Sequence, residues 1–127
     1  MIFSLAVYAA PYSSQASNTA YQFATALLEQ GHALHRIFFY HDGVHHATTL
    51  ASPPQDELNL YQAWNELASK HDLVICIAAA LKRGILNSEE AKRYDKSAHN
   101  LSDNYSLSGL GQLVDATIVS DRFITFG

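Results

Sequence analysis

Cysteine is almost absent from this chain, which has one cysteine, Cys76, among 127 residues. A single thiol has no partner for an intramolecular disulfide, which excludes a disulfide-stapled secreted scaffold and suits a reducing compartment. The sequence also lacks an HExxH pair, a GxGxxG loop, a Walker motif and a nucleophile elbow. No common metal, nucleotide or hydrolase signature is therefore present, and any chemistry must come from isolated residues.

Charge is also scarce. Only 16% of the residues are charged, the formal net charge is −4, and Lys and Arg form no long runs. Proteins that hold nucleic acid through its phosphates need a basic face, because phosphate neutralisation supplies most of the affinity. Direct RNA binding is therefore not expected, whereas a role in an RNA-modifying pathway remains compatible with this composition.

Long hydrophobic runs are missing as well. The apolar stretch IFSLAVYAA near the start has no preceding Lys or Arg and does not continue to helix length, so a first strand is a better interpretation than a signal peptide. The run LVICIAAAL is far short of the roughly 20 residues that span a bilayer. We therefore expect a soluble cytoplasmic protein with no membrane segment.

The arrangement of apolar segments predicts an α/β fold. Buried strands are predicted at residues 2–8, 34–40, 73–77, 116–119 and 122–126, with longer helices at about 15–30 and 56–70. Because helix-length connections separate the strands, the strands should be parallel with right-handed crossovers. We predict one three-layer α/β/α domain over residues 1–127, with a mainly parallel five-stranded sheet.

Local signals mark where the predicted helices begin and end. Ser14 or Ser17 is expected to cap the first helix, which should end at Gly31, and Asp56 is expected to cap the second. A short helix, AAALKRG, should close at Gly84. Another should begin at Asn87 and Glu90, which have capping-box spacing. Residues 97–106 are predicted to be a polar loop, followed by a further helix that includes Leu107, Leu110, Leu113 and Val114.

Reactive groups of an open parallel sheet gather at the carboxyl ends of the strands. Residues 10–15, 40–46 and 76–80 should meet there. Cys76 precedes a predicted helix, whose unpaired amide groups favour a thiolate nucleophile, and Lys82 and Arg83 follow closely. The apolar neighbours of Cys76 equally suit an inert core cysteine, since free cysteine is often buried. The residues alone leave both interpretations open.

Two further features suggest ligands. His41 and His45 have i, i+4 spacing beside His46, but no second ligand cluster accompanies them, so surface histidines at a turn are favoured over a metal site. The loop PYSSQAS precedes a helix, where flavodoxins hold the phosphate of their flavin. It has no glycine to allow close backbone approach. A flavodoxin-like flavin protein therefore stays as an alternative, and no metal or cofactor is expected.

Four segments carry a resemblance to a known family, namely SNTAYQFATALLEQGHAL, FFYHDGV, ICIAAALKRGI and NLSDNYSLSGLGQLVDATIVSDRFITF. Over nearly its whole length the chain resembles the DsrE/DsrF-like sulfur carriers, and Cys76 falls on the active cysteine of that family. The resemblance implies a sulfurtransferase that carries persulfide sulfur on Cys76. Ala9 and Ser13 stand where relatives often have glycine, and no pocket role is assigned to Tyr12, Gln15, His41 or Asp42.

The resemblance also implies partners. Two smaller related subunits, TusB-like and TusC-like, would join this chain in a heterohexamer with two copies of each. A TusA-like carrier would donate sulfur and a TusE-like protein would accept it, for 2-thiouridine formation at the tRNA wobble position. The alternative within the family is a non-catalytic assembly subunit, and retention of Cys76 argues against it.

Overall fold

A computed structural model describes all residues from Met1 to Gly127. Five strands alternate with five α-helices and one 3₁₀ helix, which is called η1 below. In chain order they are β1 Ile2–Val7, α1 Ala16–Glu29, β2 Ala33–Phe39, η1 His41–Ala47, α2 Leu60–Ala68, β3 Leu73–Cys76, α3 Ile77–Lys82, α4 Ser88–Arg93, β4 Ser106–Ser108, α5 Gly111–Val119 and β5 Arg122–Phe126.

The strands form one sheet in the order β4-β3-β2-β1-β5, and every neighbouring pair is parallel. Parallel neighbours cannot be joined by tight hairpins, so each connection crosses over through helical structure. Helices cover both faces of the sheet. The predicted three-layer α/β/α architecture is confirmed, and the sheet is wholly parallel. No helix combines the length and the apolar character needed to cross a membrane.

One predicted strand was wrong. Residues 116–119 belong to α5, and the fifth strand is Ser106–Ser108, inside the stretch predicted as a polar loop. Leu107, expected in the helix, lies in that strand. Thr117, Ile118 and Val119 are β-branched, which favours a strand locally. The parallel pairing of both β4 and β5 within one sheet requires a crossover helix between them, and this tertiary demand overrides local preference.

The second predicted helix starts later than expected. Asp56 does not cap it, because α2 begins after Asn59, whose side-chain oxygen accepts a hydrogen bond from the Gln62 amide at 3.1 Å. The stretch before Asn59 holds two prolines and stays non-helical. The cap predicted for α4 is confirmed, since the Asn87 side chain accepts from the Glu90 amide at 2.9 Å.

The start of α1 also differs from the prediction. Gln15 occupies the cap position and makes no side-chain cap bond. Ser14 contributes one bond from outside the helix, because its hydroxyl accepts from the Ala16 amide at 3.3 Å. Ser17 lies inside the helix and is fully buried, so it is not the cap. The predicted end is confirmed, since Gly31 adopts a left-handed conformation with φ of 85° directly after the helix.

Two helices cover one face of the sheet. The ring of Phe3 in β1 packs against Phe23 of α1 with centroids 5.9 Å apart. The ring of Phe39 in β2 packs against Trp64 of α2 at 5.2 Å. Trp64 is fully buried and is the only tryptophan, so its fluorescence reports on the core. Burial of side chains of this size is the main favourable contribution to folding.

The other face lies under α5. The Arg36 guanidinium of β2 donates to Asp115 at 2.9 Å and to the Gln112 carbonyl at 3.0 Å, both in α5, and also to Asp72 at 2.7 Å. Burial would lower the pKa of Arg36, but the bonds to the two carboxylates raise it above its usual value. The same contact lowers the pKa of Asp115. Arg36 therefore anchors α5 to the sheet. Its contacts also show that Arg36, and the residues of β2 that share its face, lie on the α5 side of the sheet.

Candidate functional site

Cys76 stands where a strand becomes a helix without an intervening loop. It is the last residue of β3 and the cap residue of α3, in an extended conformation with φ of −64° and ψ of 119°. β3 has a neighbouring strand on each side. The predicted position of Cys76, at a strand end just before a helix, is confirmed.

Strand register decides the side to which Cys76 points. Side chains alternate between faces along a strand, and paired residues of neighbouring strands share a face. Arg36 reaches α5, so Phe38 and its partner Val74 lie on the α5 side. Two residues beyond Val74, Cys76 lies on this side too, paired with Ser108 of β4. The thiol therefore belongs to the sheet face that α5 covers.

Burial of Cys76 is nearly complete. Its exposed fraction is 2%, it belongs to the main hydrophobic core, and none of the five principal surface cavities is lined by it. The core-cysteine interpretation thus describes where the side chain lies in this closed conformation. The chain reaches the surface soon afterwards, because Ile77 is half-buried and Ala78 is exposed. A reagent can reach the sulfur only if the packing around the carboxyl end of β3 opens.

An ion pair ties together two of the segments that meet at this edge. η1 packs against both β3 and α3, the elements that join at Cys76. Arg83, just after α3, donates to Asp42 of η1 at 2.8 Å and to the Ala79 carbonyl at 3.1 Å. The bond from Arg83 lowers the pKa of the Asp42 carboxyl. Sequence left the direction of Arg83 open; it points to Asp42, whereas Lys82 is exposed and forms no ion pair.

The histidine segment is a 3₁₀ helix rather than a plain turn, and its three histidines do not share an environment. His41 is exposed and stacks on Tyr40 with ring centroids 4.1 Å apart, and His45 is half-buried. His46 is buried, so the expectation of surface histidines was wrong at that residue. Burial lowers the pKa of His46 to about 4. No group of three or more His, Cys, Asp or Glu side chains is arranged to hold a metal.

His46 was missed as a structural residue, although a signal existed. Gly43, Val44, His46 and Ala47 are buried at i, i+1, i+3 and i+4, which is a helical repeat. The His46 Nδ1 lies 2.8 Å from the Gly43 carbonyl oxygen, which can only accept, so Nδ1 carries the proton. The polar residues of the segment HDGVHH obscured this helical repeat, because histidine is rarely counted among core residues.

The loop after β1 forms a cleft of about 500 Å³. The Tyr12 hydroxyl closes one wall by donating to the Leu58 carbonyl at 2.6 Å and accepting from the Leu60 amide at 3.0 Å. Glu57 is the only charged residue that lines the cleft. A carboxylate without an accompanying cation disfavours a phosphate, so the lining gives no support to the flavin alternative.

Comparison with known proteins places this arrangement in a family. A family model described as DsrE/DsrF-like matches residues 1–126. The chain belongs to the DsrE/DsrF-like family. A DsrE protein of Allochromatium vinosum is 50% identical over 100% of this chain and 99% of its own. A protein of Sodalis glossinidius named sulfurtransferase TusD is 48% identical over 91% of this chain and 90% of its own.

Another DsrE/DsrF-like relative, a Pseudomonas aeruginosa protein named as a sulfurtransferase TusD homolog, is 46% identical over 100% of this chain and 98% of its own. The crystal structure of the YchN protein from E. coli aligns with a TM-score of 0.76. That alignment covers 98% of this chain and 97% of YchN at 23% identity, so it supports the fold alone. The family assignment from sequence is confirmed.

Proposed function

We propose that this chain is a sulfurtransferase of a sulfur relay and that Cys76 carries the transferred sulfur as a persulfide. The observation that carries the proposal is the place of the only thiol, at the carboxyl end of an interior parallel strand. Reactive groups of parallel sheets gather at this edge. Family membership and the sulfurtransferase names of several relatives support the reaction class.

The transfer consists of two displacements at sulfur. The Cys76 thiolate attacks the outer sulfur of a donor persulfide, the S–S bond of the donor breaks, and the donor leaves as a thiolate. Cys76 is then Cys–S–SH. An acceptor thiolate attacks this outer sulfur, the new S–S bond breaks, and Cys76 returns to a thiolate. Both steps follow thiol–disulfide exchange and need no oxidant, metal or organic cofactor.

Sulfur transfer requires that a partner gain access to Cys76, which is closed off from solvent in this structure. Cys76 is 2% exposed, so the packing around the carboxyl end of β3, where α3 and η1 meet, must loosen before a partner's sulfur can reach it. The Arg83–Asp42 pair crosses this edge, and both side chains reach solvent, which keeps the pair weak enough to break. Local opening of a few contacts costs far less than global unfolding. Closure afterwards shelters the persulfide from unwanted thiols.

We propose that a TusA-like protein donates the sulfur and a TusE-like protein accepts it. This chain assembles with TusB-like and TusC-like subunits in a cytoplasmic heterohexamer, and the sulfur is destined for tRNA 2-thiouridine. The TusD names of relatives support this choice of relay. An apolar stripe also supports an assembly, because α5 and the residue before it expose large hydrophobic side chains on the sheet side to which Cys76 points. The stripe consists of Leu110, Val114, Ile118 and Val119.

The decisive experiment follows sulfur onto the chain by intact mass. Incubation with inorganic polysulfide should add the mass of one sulfur atom to the wild-type chain, and reductant should remove it. Cys76→Ser should gain nothing, while Trp64 fluorescence verifies that the variant is folded. A gain that survives in Cys76→Ser would overturn the assignment. A wild-type chain that joins its partners but takes no sulfur from polysulfide or from a protein persulfide is an assembly subunit.

The destination of the sulfur requires a cellular test. Deletion of the gene should abolish 2-thiouridine in tRNA hydrolysates, and the wild-type gene should restore it. Cys76→Ser should not. Unchanged 2-thiouridine in the deletion strain would contradict the tRNA destination while leaving the chemistry at Cys76 intact.

A further inference from the structure

A cleft at the far end of α3 combines an apolar wall with positive charge. Its volume is about 640 Å³. The wall is formed by residues from the end of α3, the turn at Gly84 and the segment after α4, and Tyr94 is 53% exposed there. The lining residues are Leu81, Lys82, Gly84, Leu86, Tyr94, Lys96, Ser97 and Ala98.

The two charged residues of this lining are both cations. Neither Lys82 nor Lys96 takes part in any of the five ion pairs of the protein, and Asp95, next to Lys96 in sequence, forms none either. The chain as a whole carries a net charge of −4. Two unpaired ammonium groups beside an apolar wall are therefore a local reversal of the overall charge, and they suit an anionic partner with an apolar side chain.

The cleft lies close to the proposed sulfur carrier. Leu81 and Lys82 are at the carboxyl end of α3, and Cys76 immediately precedes its first residue. A helix of six residues is about 9 Å long, so a segment seated in the cleft is held roughly that far along the helix from Cys76. A partner bound there is tethered beside the edge that must open.

We propose that this cleft docks an acidic protein segment with an apolar anchor, belonging to the protein that exchanges sulfur with Cys76. The inference rests on the proposed function. The carboxylates of the segment pair with Lys82 and Lys96, and its apolar side chain packs on Tyr94 and Leu86. The surface is too small and too isolated for RNA, because two lysines without a surrounding basic face neutralise few phosphates.

Fluorescence anisotropy with a defined probe tests the docking. The probe is a short fluorescein-labelled peptide with glutamates on both sides of a central leucine, and the comparator has lysines in place of the glutamates. The full-length chain should bind the acidic probe and not the basic one, with weaker binding at higher salt. Lys82→Glu combined with Lys96→Glu should raise the Kd about tenfold, and Tyr94→Ala about threefold.

Lys70→Glu is the matched control. Lys70 is exposed and lies just before the amino end of β3, whereas Cys76 lies at the carboxyl end of that strand. It makes the same charge change as either cleft substitution, Lys82→Glu or Lys96→Glu, made singly, and should alter the Kd less than about twofold. Equal effects of Lys70→Glu and the cleft variants would overturn the proposal, as would no binding of the acidic probe. A labelled single-stranded RNA that binds through Lys82 and Lys96, when the peptide does not, would also overturn it.

The same samples separate this inference from the proposed function. Polysulfide loading of the wild-type chain reports on Cys76 alone. If Cys76 loads and the cleft variants bind the peptide as well as wild type, the docking proposal fails and the sulfur chemistry stands. If the peptide binds as expected and Cys76 takes no sulfur, the proposed function fails.

Discussion

His46 shows at the scale of one residue how burial determines chemistry. Its side chain is 1% exposed, Nδ1 donates to the Gly43 carbonyl, and Nε2 has no partner in the protein. Phe39 and Trp64 pack around the ring. Because a charged imidazolium is strongly disfavoured in such surroundings, the pKa falls from 6.5 to about 4. The residue is a neutral core histidine.

This burial predicts how stability depends on pH. The folded-state pKa of His46 is lower than the unfolded one, so between pH 6.5 and about 4 the unfolded chain binds the extra proton. The free energy of unfolding must therefore fall as pH drops through this window, and His46 contributes a loss of roughly 2 kcal/mol by about pH 4.5. Urea unfolding followed by Trp64 fluorescence at several pH values measures this loss.

His46→Gln provides the comparison. The glutamine amide can donate to the Gly43 carbonyl but does not titrate in this range. The variant should be less stable near neutral pH and lose less stability on acidification. The carboxylates with lowered pKa, Asp42 and Asp115, are common to both proteins. If the free energy of unfolding changed with pH in the same way in both proteins, His46 would not be a buried neutral residue.

At the scale of elements, η1 depends on one close approach to the end of β1. A Cβ built on Gly43 would lie 2.0 Å from the Val7 carbonyl oxygen, and the atom it meets is backbone. The Gly43 carbonyl also accepts the bond from His46. Any larger residue at this position must push η1 away from the sheet, and η1 packs against the elements that meet at Cys76.

Gly43→Ala should therefore lower the free energy of unfolding by about 2 kcal/mol or more. The same variant should make Cys76 react faster with a thiol reagent, because a displaced η1 loosens the packing around the carboxyl end of β3. Gly109→Ala is the matched control, since no atom lies within 4 Å of a Cβ built there, and its stability should match wild type. Equal urea midpoints and thiol rates for the two variants would contradict the close packing of η1.

At the scale of the whole molecule, the α5 stripe brings together four of the exposed large hydrophobic side chains. Ile118 is 77% exposed and Val114 is 56% exposed. The residues on the inner side of α5 already anchor it, because Ala116 is fully buried and Asp115 pairs with Arg36. The outer stripe is therefore free to contact another subunit at no cost to the fold.

Ile118→Glu should weaken assembly with the partner subunits by about tenfold or more, because central apolar contacts dominate interfaces. Size-exclusion chromatography with light scattering of the co-expressed proteins measures the assembly. Ala26→Glu adds the same charge at an exposed residue of α1, on the other face of the sheet, and should leave the complex intact. A full-size complex with Ile118→Glu would show that α5 lies outside the interface.

Sequence reasoning succeeded where the signal was local and failed where neighbours in space decide. Gly31, Gly84 and Asn87 mark helix ends through their own backbone preferences, and all three were predicted correctly. The assignment of residues 116–119 to a strand failed because β-branched side chains were weighed without the crossover requirement. Arg83 was recognised as close in sequence to Cys76, but its partner Asp42 is 41 residues away, beyond any local pattern.

The sequence by itself determined the α/β alternation, the place of Cys76 at a strand end and the family, because apolar periodicity and contiguous motifs are written in neighbouring residues. Only the tertiary structure decided that Cys76 lies on the sheet face that carries α5 and is closed off from solvent, that Arg83 bonds to Asp42, and that His46 is neutral. Each of these depends on lateral strand register and on packing between segments distant in the chain, and such contacts exist only once the sheet has formed.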